Sequence, residues 1–112
     1  MKLTKTYIIK YLKDFKDVTL SYPFGENICV FSFKDQMFAL LEKDKVPLRL
    51  SLKCDPLLAH VLRERYEEVL PGFNLNKKNW NTILLTGQLS EEKLKDLIRH
   101  SYELAQSISL GA

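Results

Sequence analysis

The fold is decided by residues 48–56, whose sequence is LRLSLKCDP. Leucine occupies every second position from 48 to 52, and the alternate positions carry Arg49, Ser51 and Lys53. Because successive side chains of a β-strand point to opposite faces of its sheet, the leucines lie on one face and the polar residues on the other. The pattern predicts a strand with one buried face and an opposite, basic face.

The last two residues of this stretch, Asp55 and Pro56, predict the start of a helix. An Asp carboxylate accepts the free N–H groups of a first helical turn, and proline is preorganised for the first helical position. The residues predicted to form the buried face of this helix are Leu57, Leu58, Val61, Leu62 and Tyr66. A strand is therefore expected to lead directly into a helix.

Residues 4–15 predict an amphipathic first helix. Their apolar side chains recur at i, i+3, i+4 and i+7, which lays one stripe along a helix. Lys10 and Lys13 lie off that stripe. This helix is therefore predicted to bury one face and to present a basic one.

An aromatic loop and a hairpin are predicted between this helix and residue 48. Residues 22–25 read YPFG, and proline with glycine ends a helical pattern. Residues 28–34 and 36–42 are β-prone runs separated near Asp35, which predicts a tight hairpin. This part of the chain is expected to supply two neighbouring strands.

One more strand and a last helix are predicted towards the C-terminus. Residues 80–85 are predicted to form the strand, with Thr86 and Gly87 as its turn. Ser90 is the expected N-cap, because its hydroxyl can accept an N–H group of the first turn. The predicted buried stripe of the helix is Leu94, Leu97, Ile98, Ser101, Leu104, Ala105 and Ile108. Residues 109–112 are predicted to fray.

The predicted order of elements is α-β-β-β-α-β-α. Clustered strands joined by short turns indicate an α+β fold, an antiparallel β-sheet with helices packed on one side. The chain shows no repeat, linker or low-complexity segment, and its length suits one modest core. Residues 1–112 are therefore predicted to form a single domain.

Composition excludes several classes of protein. With 46% hydrophobic and 28% charged residues the chain lacks the signature of disorder, and a net charge of +3 is low for a dedicated nucleic-acid binder. No apolar run approaches the roughly 20 residues that span a bilayer, so a cytoplasmic location is expected. Cys29 and Cys54 have no CxxC spacing and no nearby histidine, which predicts two reduced structural thiols and no metal or cofactor site.

Catalysis is not expected of this chain. Acid and base chemistry needs titratable groups that lie together, whereas His60 and His100 fall on different predicted helices with no motif around either. The sequence contains no phosphate-binding loop, nucleophile elbow or dinucleotide fingerprint. The composition and motifs favour a binding module.

The most specific motif of the chain is LNKKNWNT at residues 75–82. The supporting motifs are YPFG at 22–25, LKCDP at 52–56, LRERY at 62–66, Pro71-Gly72 and Ser101-Tyr102. With these motifs the chain resembles the MmcQ/YjbR family over about residues 7–107. One position departs from the family pattern, since histidine is common before the tryptophan and this chain has Asn79.

The resemblance implies a fold as well as a function. The implied fold is a compact α+β domain similar to the frataxin-like proteins, a CyaY-like fold. The implied function is that of a DNA-binding module with wing-like hairpins, and the family has no agreed catalytic residues to transfer. An imidazole-dependent role at Asn79 is not expected.

Cations and aromatic residues form the candidate nucleic-acid-binding site. The predicted phosphate partners are Lys77, Lys78, Arg49, Lys53, Lys10 and Lys13. Trp80 or Phe73 would stack on a base if exposed. Binding to DNA through phosphates would be weak and salt-sensitive, with little base specificity. The alternative is an ordinary solvated face with Trp80 in the core.

The aromatic loop supports a second hypothesis. Tyr22 and Phe24 would serve a protein-interaction or small-ligand-binding domain, and the alternative is a loop that merely covers the core. The amides Asn74, Asn76 and Asn81 are expected to direct the path of the chain into the last strand, because such side chains bond nearby backbone.

Overall fold

The computed structural model describes residues 4–109, which form three helices and one six-stranded antiparallel sheet. The helices are α1 (Lys5–Lys13), α2 (Pro56–Arg65) and α3 (Glu91–Ser109). The strands are β1 (Val18–Ser21), β2 (Ile28–Phe33), β3 (Gln36–Glu42), β4 (Arg49–Lys53), β5 (Val69–Pro71) and β6 (Trp80–Leu84). Their order across the sheet is β1-β2-β3-β4-β6-β5.

All three helices pack on one face of the sheet. Their buried residues, among them Ile8 of α1, Ala59 of α2 and Leu97 of α3, join those of the strands in one hydrophobic cluster. Within it the rings of Phe38 and Tyr102 meet edge to face at 5.6 Å between centroids. The predicted α+β class, with helices on one side of an antiparallel sheet, is confirmed.

The predicted order of elements was wrong in two places, because it omitted β1 and β5. These strands have four and three residues and form the two edges of the sheet. A strand this short offers at most two apolar positions on one face, too few to distinguish it from a loop by pattern. The observed order is α-β-β-β-β-α-β-β-α. The likeness to the frataxin fold stays a prediction.

The local signals in the sequence predicted the element boundaries well. β2 and β3 form the expected hairpin, which turns at residues 34–35. The Asp55 carboxylate accepts two backbone N–H groups of α2 at 3.1 and 3.2 Å, and Ser90 Oγ accepts the N–H of Lys93 at 3.1 Å. The tail predicted to fray, residues 109–112, begins inside α3 and otherwise lies outside the described residues.

The buried face of α2 differs from the prediction. Leu57 is 80% exposed and Val61 is 54% exposed, whereas Ala59 and Leu62 are buried. The helix approaches β6 closely at its small Ala59, whose carbonyl accepts a hydrogen bond from the Asn81 amide at 3.2 Å. Residues one turn apart share a helix face, so Leu57 and Val61 lie together on the side away from Ala59.

The second face of the sheet, which we call the open face, has none of the described helices packed on it. The side chains of Arg49, Ser51 and Lys53 point to it, because the alternating Leu50 and Leu52 belong to the main core. The predicted alternation of this strand is therefore confirmed. A second, smaller cluster lies on the open face and consists of Val30, Leu40 and Trp80, with Ile28, Met37 and Leu75 packed against it.

Candidate functional site

Residues 72–79 form a loop that leaves the edge strand β5 and folds over the open face before β6. The Gly72 N–H donates to the Trp80 carbonyl at 2.9 Å, and the Phe73 N–H donates to Thr82 Oγ1 at 3.1 Å. A Cβ at position 72 would lie 2.8 Å from the Cβ of Trp80, so this close approach requires glycine. The loop covers the Trp80 ring, which is only 6% exposed.

A cleft of about 240 Å³ lies on the open face between this loop and the aromatic loop at residues 22–25. Strand residues form its floor, and Phe24 and Phe73 project from the two loops beside it. The lining residues are Phe24, Ile28, Leu40, Glu42, Ser51, Phe73, Asn74 and Leu75. A predominantly apolar lining with a few polar groups is typical of small-molecule sites.

Two polar groups of the cleft differ in their partners. The Ser51 and Thr82 hydroxyls hydrogen-bond each other at 2.7 Å. Glu42 is half-buried, and its carboxylate takes part in none of the ion pairs or side-chain hydrogen bonds found within residues 4–109. Arg49, its cross-strand neighbour, instead places its guanidinium carbon 5.0 Å from the centroid of the Phe73 ring. The Glu42 carboxylate is therefore available to a ligand.

The aromatic loop at residues 22–25 is ordered and exposes its rings. Tyr22 is 44% exposed and Phe24 is 58% exposed. The Gly25 N–H donates to the Tyr22 carbonyl at 3.3 Å, and the Ile28 N–H donates to the Gly25 carbonyl at 3.2 Å. Gly25 has a φ of 114°, a conformation that glycine adopts without a steric cost. The exposure of Phe24 beside the cleft favours a ligand site over a loop that covers the core.

Three of the predicted phosphate partners lie near one another at one end of β4. Lys77 and Lys78 are exposed in the loop before β6. The backbone N–H of Cys54, which follows Lys53, donates to the Asn79 carbonyl at 2.8 Å. This bond fastens the loop, with its two lysines, to the end of the strand that carries Lys53.

Arg63 of α2 holds the same loop, a role that was not predicted from the sequence. Its guanidinium donates to the Lys77 carbonyl, to the Trp80 carbonyl at 3.1 Å and to Asn81 Oδ1 at 2.6 Å. The Lys77 ammonium donates to the Gly72 carbonyl at 3.3 Å, so it also closes the loop. The LRERY motif contains Arg63 but does not indicate this role, because the partners of Arg63 lie 14 to 18 residues further along the chain.

The residues predicted to bind nucleic acid do not share one surface. Lys10 and Lys13 belong to α1, whose Ile8 and Leu12 are buried on the helix-covered face of the sheet. The cations of β4 point to the open face, so the sheet separates the two groups. The buried Trp80 ring is not available for stacking on a base.

The two histidines lie in different surroundings. His60 forms an exposed pair with Glu64 one turn along α2, and His100 Nε2 accepts the backbone N–H of Asp55 at 3.1 Å. Within the part of the chain that the structure describes, no three His, Cys, Asp or Glu side chains are grouped to hold a metal ion. None of the described helices is long and apolar enough to cross a membrane.

Comparison with known sequences identifies relatives over most of the chain. The YjbR family model matches residues 13–104. The uncharacterized protein YbdF of Escherichia coli O157:H7 is 32% identical over 87 residues, which are 78% of this chain and 71% of that protein. The uncharacterized protein YjbR of Escherichia coli K12 is 33% identical over 75 residues, which are 67% of this chain and 64% of that protein.

Solved structures with the same fold support this relationship. The crystal structure of Deinococcus radiodurans protein DR2400, a DUF419 domain, superimposes with a TM-score of 0.84 at 34% identity and covers 90% of this chain and 77% of that chain. A crystal structure of a Pseudomonas syringae protein gives a TM-score of 0.79 at 26% identity, with coverage of 92% and 99%. The family model, the sequence relatives and the shared fold agree that this chain belongs to the YjbR family.

Proposed function

We propose that this domain is a small-ligand-binding module and that the cleft on the open face is its site. The observation that carries the proposal is the placement of Phe24 and Phe73 beside one apolar floor that also holds the free carboxylate of Glu42. Aromatic side chains with a few convergent polar groups are the usual means of recognising a small molecule in a concave site. A volume of about 240 Å³ suits a ligand with one or two rings.

Both loops beside the cleft are held in place by bonds of the protein itself. Arg63 and Thr82 bind the loop at residues 72–79, and backbone hydrogen bonds close the loop at residues 22–25. Preorganisation of this kind lowers the conformational entropy that a site loses when its ligand binds. Binding is therefore expected with little rearrangement of the backbone.

NMR spectra of the backbone amides test this proposal. A neutral aromatic probe, phenethyl alcohol, should shift the amide signals of the strands and loops that line the cleft. Phe24→Ala should weaken its binding by roughly tenfold, because about 1.4 kcal/mol of apolar contact is lost. Val61→Ala is the control, since Val61 is an exposed apolar residue of α2. The proposal would be refuted if the amide signals of the cleft did not shift, or if Phe24→Ala and Val61→Ala weakened binding of the probe equally.

Contact with DNA phosphates is the second candidate. It is favoured by the placement of Lys53, Lys77 and Lys78 near one end of β4, with both loop lysines exposed. If these three cations met phosphates, log K would fall against log salt with a slope of about −2.7. Such binding would be weak, salt-sensitive and almost without base specificity.

Fluorescence anisotropy with duplex and single-stranded DNA over a salt series tests this second candidate. Lys77→Ala with Lys78→Ala should weaken binding and flatten the salt slope by about 1.8. Lys10→Ala with Lys13→Ala removes the same charge from the opposite side of the sheet and should have little effect. Equal losses of DNA affinity in the two double variants, or no DNA binding at about 50 mM salt, would exclude a phosphate-binding surface at this loop.

A further inference from the structure

We infer that the cleft selects a small molecule in which a flat apolar body carries a protonated amine, and that Glu42 binds the amine. The inference rests on the proposed function, because it specifies the chemistry of a ligand for the same cleft. Its starting point is a half-buried carboxylate that lines the cleft with Phe24, Ile28 and Leu40.

Glu42 occupies the last position of β3 and is paired with Ile28 on one side and Arg49 on the other. Its carboxylate is partly removed from water and has no protein donor among residues 4–109. A charged group that loses hydration without a partner is destabilised. A ligand ammonium would supply a charge-assisted hydrogen bond, which is about twice as strong as a neutral one.

Arg49 lies across the strand pair from Glu42 but forms no ion pair with it. The Arg49 guanidinium is directed to Phe73 instead. The aromatic loop engages a cation in the same way, because the Lys43 ammonium lies 5.2 Å from the centroid of the Tyr22 ring. Aromatic rings attract cations through the negative potential of their faces. These two rings already contact protein cations, so the selection of a positively charged ligand rests on Glu42 alone.

The rest of the lining favours an apolar body on that ligand. Ile28, Leu40 and Leu75 offer no hydrogen bonds from their side chains. The other polar lining residues are uncharged, since the Ser51 hydroxyl is bonded to Thr82 and Asn74 carries an amide. A ligand carboxylate would meet Glu42 as a like charge, and two like charges at close range repel. The cleft thus combines one charge-selecting group with an apolar surface that fits a ring.

Three probes with the same phenyl ring and two-carbon chain isolate the contribution of the charge. They are phenethylamine, phenethyl alcohol and hydrocinnamate, and NMR titration of the full chain gives a Kd for each. We expect the amine to bind at least about tenfold more tightly than the alcohol, since hydrogen bonds to charged groups are worth about 1.5 kcal/mol or more. Hydrocinnamate should bind most weakly.

A matched pair of variants assigns the selectivity to Glu42. Glu42→Gln keeps the size of the side chain and removes its charge, so amine and alcohol should bind it with equal affinity. Glu26→Gln removes the same charge from an exposed position before β2 and should preserve the preference for the amine.

The outcomes separate this inference from the function on which it rests. Equal affinities of amine and alcohol for the unaltered chain would overturn the inference and leave the cleft a binding site. Tighter binding of hydrocinnamate would also overturn it, because recognition would then lie with a cation such as Arg49. No binding of any probe would overturn the proposed function as well. The comparison of probes on the unaltered chain remains decisive if Glu42→Gln fails to fold.

Discussion

Arg63 donates from Nε to Asn81 Oδ1 at 2.6 Å, and this contact joins α2 to β6. The Asn81 amide nitrogen donates in turn to the Ala59 carbonyl at 3.2 Å, so one buried side chain binds two residues of the helix. Another Arg63 nitrogen reaches the Trp80 carbonyl at 3.1 Å, at the end of the loop formed by residues 72–79. A single guanidinium therefore connects the helix layer to the loop that flanks the cleft.

Arg63→Ala should destabilise the domain by roughly 2–4 kcal/mol, because it leaves partly buried acceptors without a charged donor. Those acceptors are the Trp80 carbonyl and the Asn81 side chain, and the exposed Lys77 carbonyl loses the same donor. The free energy of unfolding, from chemical denaturation, measures the loss. Hydrogen exchange should accelerate at residues 72–79 more than in α3, since the loop loses its direct tether.

Arg65→Ala is the matched control for this change. Arg65 lies on the same helix and carries the same charge, but its side chain is exposed and takes part in none of the side-chain hydrogen bonds found within residues 4–109. Its replacement should cost less than about 0.5 kcal/mol. Similar losses in both variants would show that charge on α2, and not the hydrogen-bond network, stabilises the loop.

Gly72→Ala should destabilise the domain by about 1–3 kcal/mol, because the new Cβ would overpack the crossing of the loop. That Cβ would lie 2.8 Å from the Trp80 Cβ and 3.1 Å from its carbonyl oxygen. Gly87→Ala provides the comparison, since Gly87 has a φ of 98° and open space around its Cβ position. Gly87→Ala should lower the free energy of unfolding by about 1 kcal/mol through backbone strain alone. A Gly72→Ala protein with unaltered stability would contradict the close approach.

Trp80 emission should be blue-shifted and resistant to acrylamide, because the ring is buried beneath the loop. Leu75 packs against the Trp80 cluster, so Leu75→Ala should shift the emission to the red and increase quenching. Leu57→Ala removes a leucine that is largely exposed and should leave the spectrum unchanged. A red-shifted spectrum in the unaltered chain would contradict this prediction. It would show that the Trp80 ring is exposed and therefore free to stack on a base.

The sequence predicted those parts of the fold whose causes lie within a few residues. A cap such as Asp55 or Ser90 acts on the next turn, and alternation along β4 depends only on strand geometry. The exposed side of α2 was not predictable in this way. Leu57 and Val61 carry a helical pattern, but the close contact of Ala59 with β6 decides which side is buried.

The cleft depends on contacts between distant segments, and for that reason the sequence indicated only part of it. Phe24 was a candidate because its own loop is distinctive. Glu42, Ser51 and Phe73 come together only because β4 pairs with both β3 and β6 while β5 takes the edge. Hydrophobic periodicity identifies the faces of each strand but does not specify which strands are neighbours.

Cys54 should make the stability of the domain depend on pH in the alkaline range. Burial, with the Asp55 carboxylate, raises the pKa of this thiol from 9.0 to about 11, although the Arg63 guanidinium acts in the opposite direction. The folded state therefore holds the thiol proton at pH values where the unfolded state has released it. Stability rises with pH only where the unfolded state binds more protons, so here the free energy of unfolding should fall between about pH 9 and pH 11.

Denaturant unfolding of the unaltered chain and of Cys54→Ala, measured over the same pH series, isolates this contribution. The variant should be less stable at neutral pH, because a buried side chain is truncated. The difference between the two free energies of unfolding should then narrow as the pH rises from about 9 to about 11, where only the folded thiol stays protonated. Other titrating groups are common to both proteins and cancel in the difference. Parallel curves across that interval would show that the Cys54 thiol titrates alike in the folded and unfolded states.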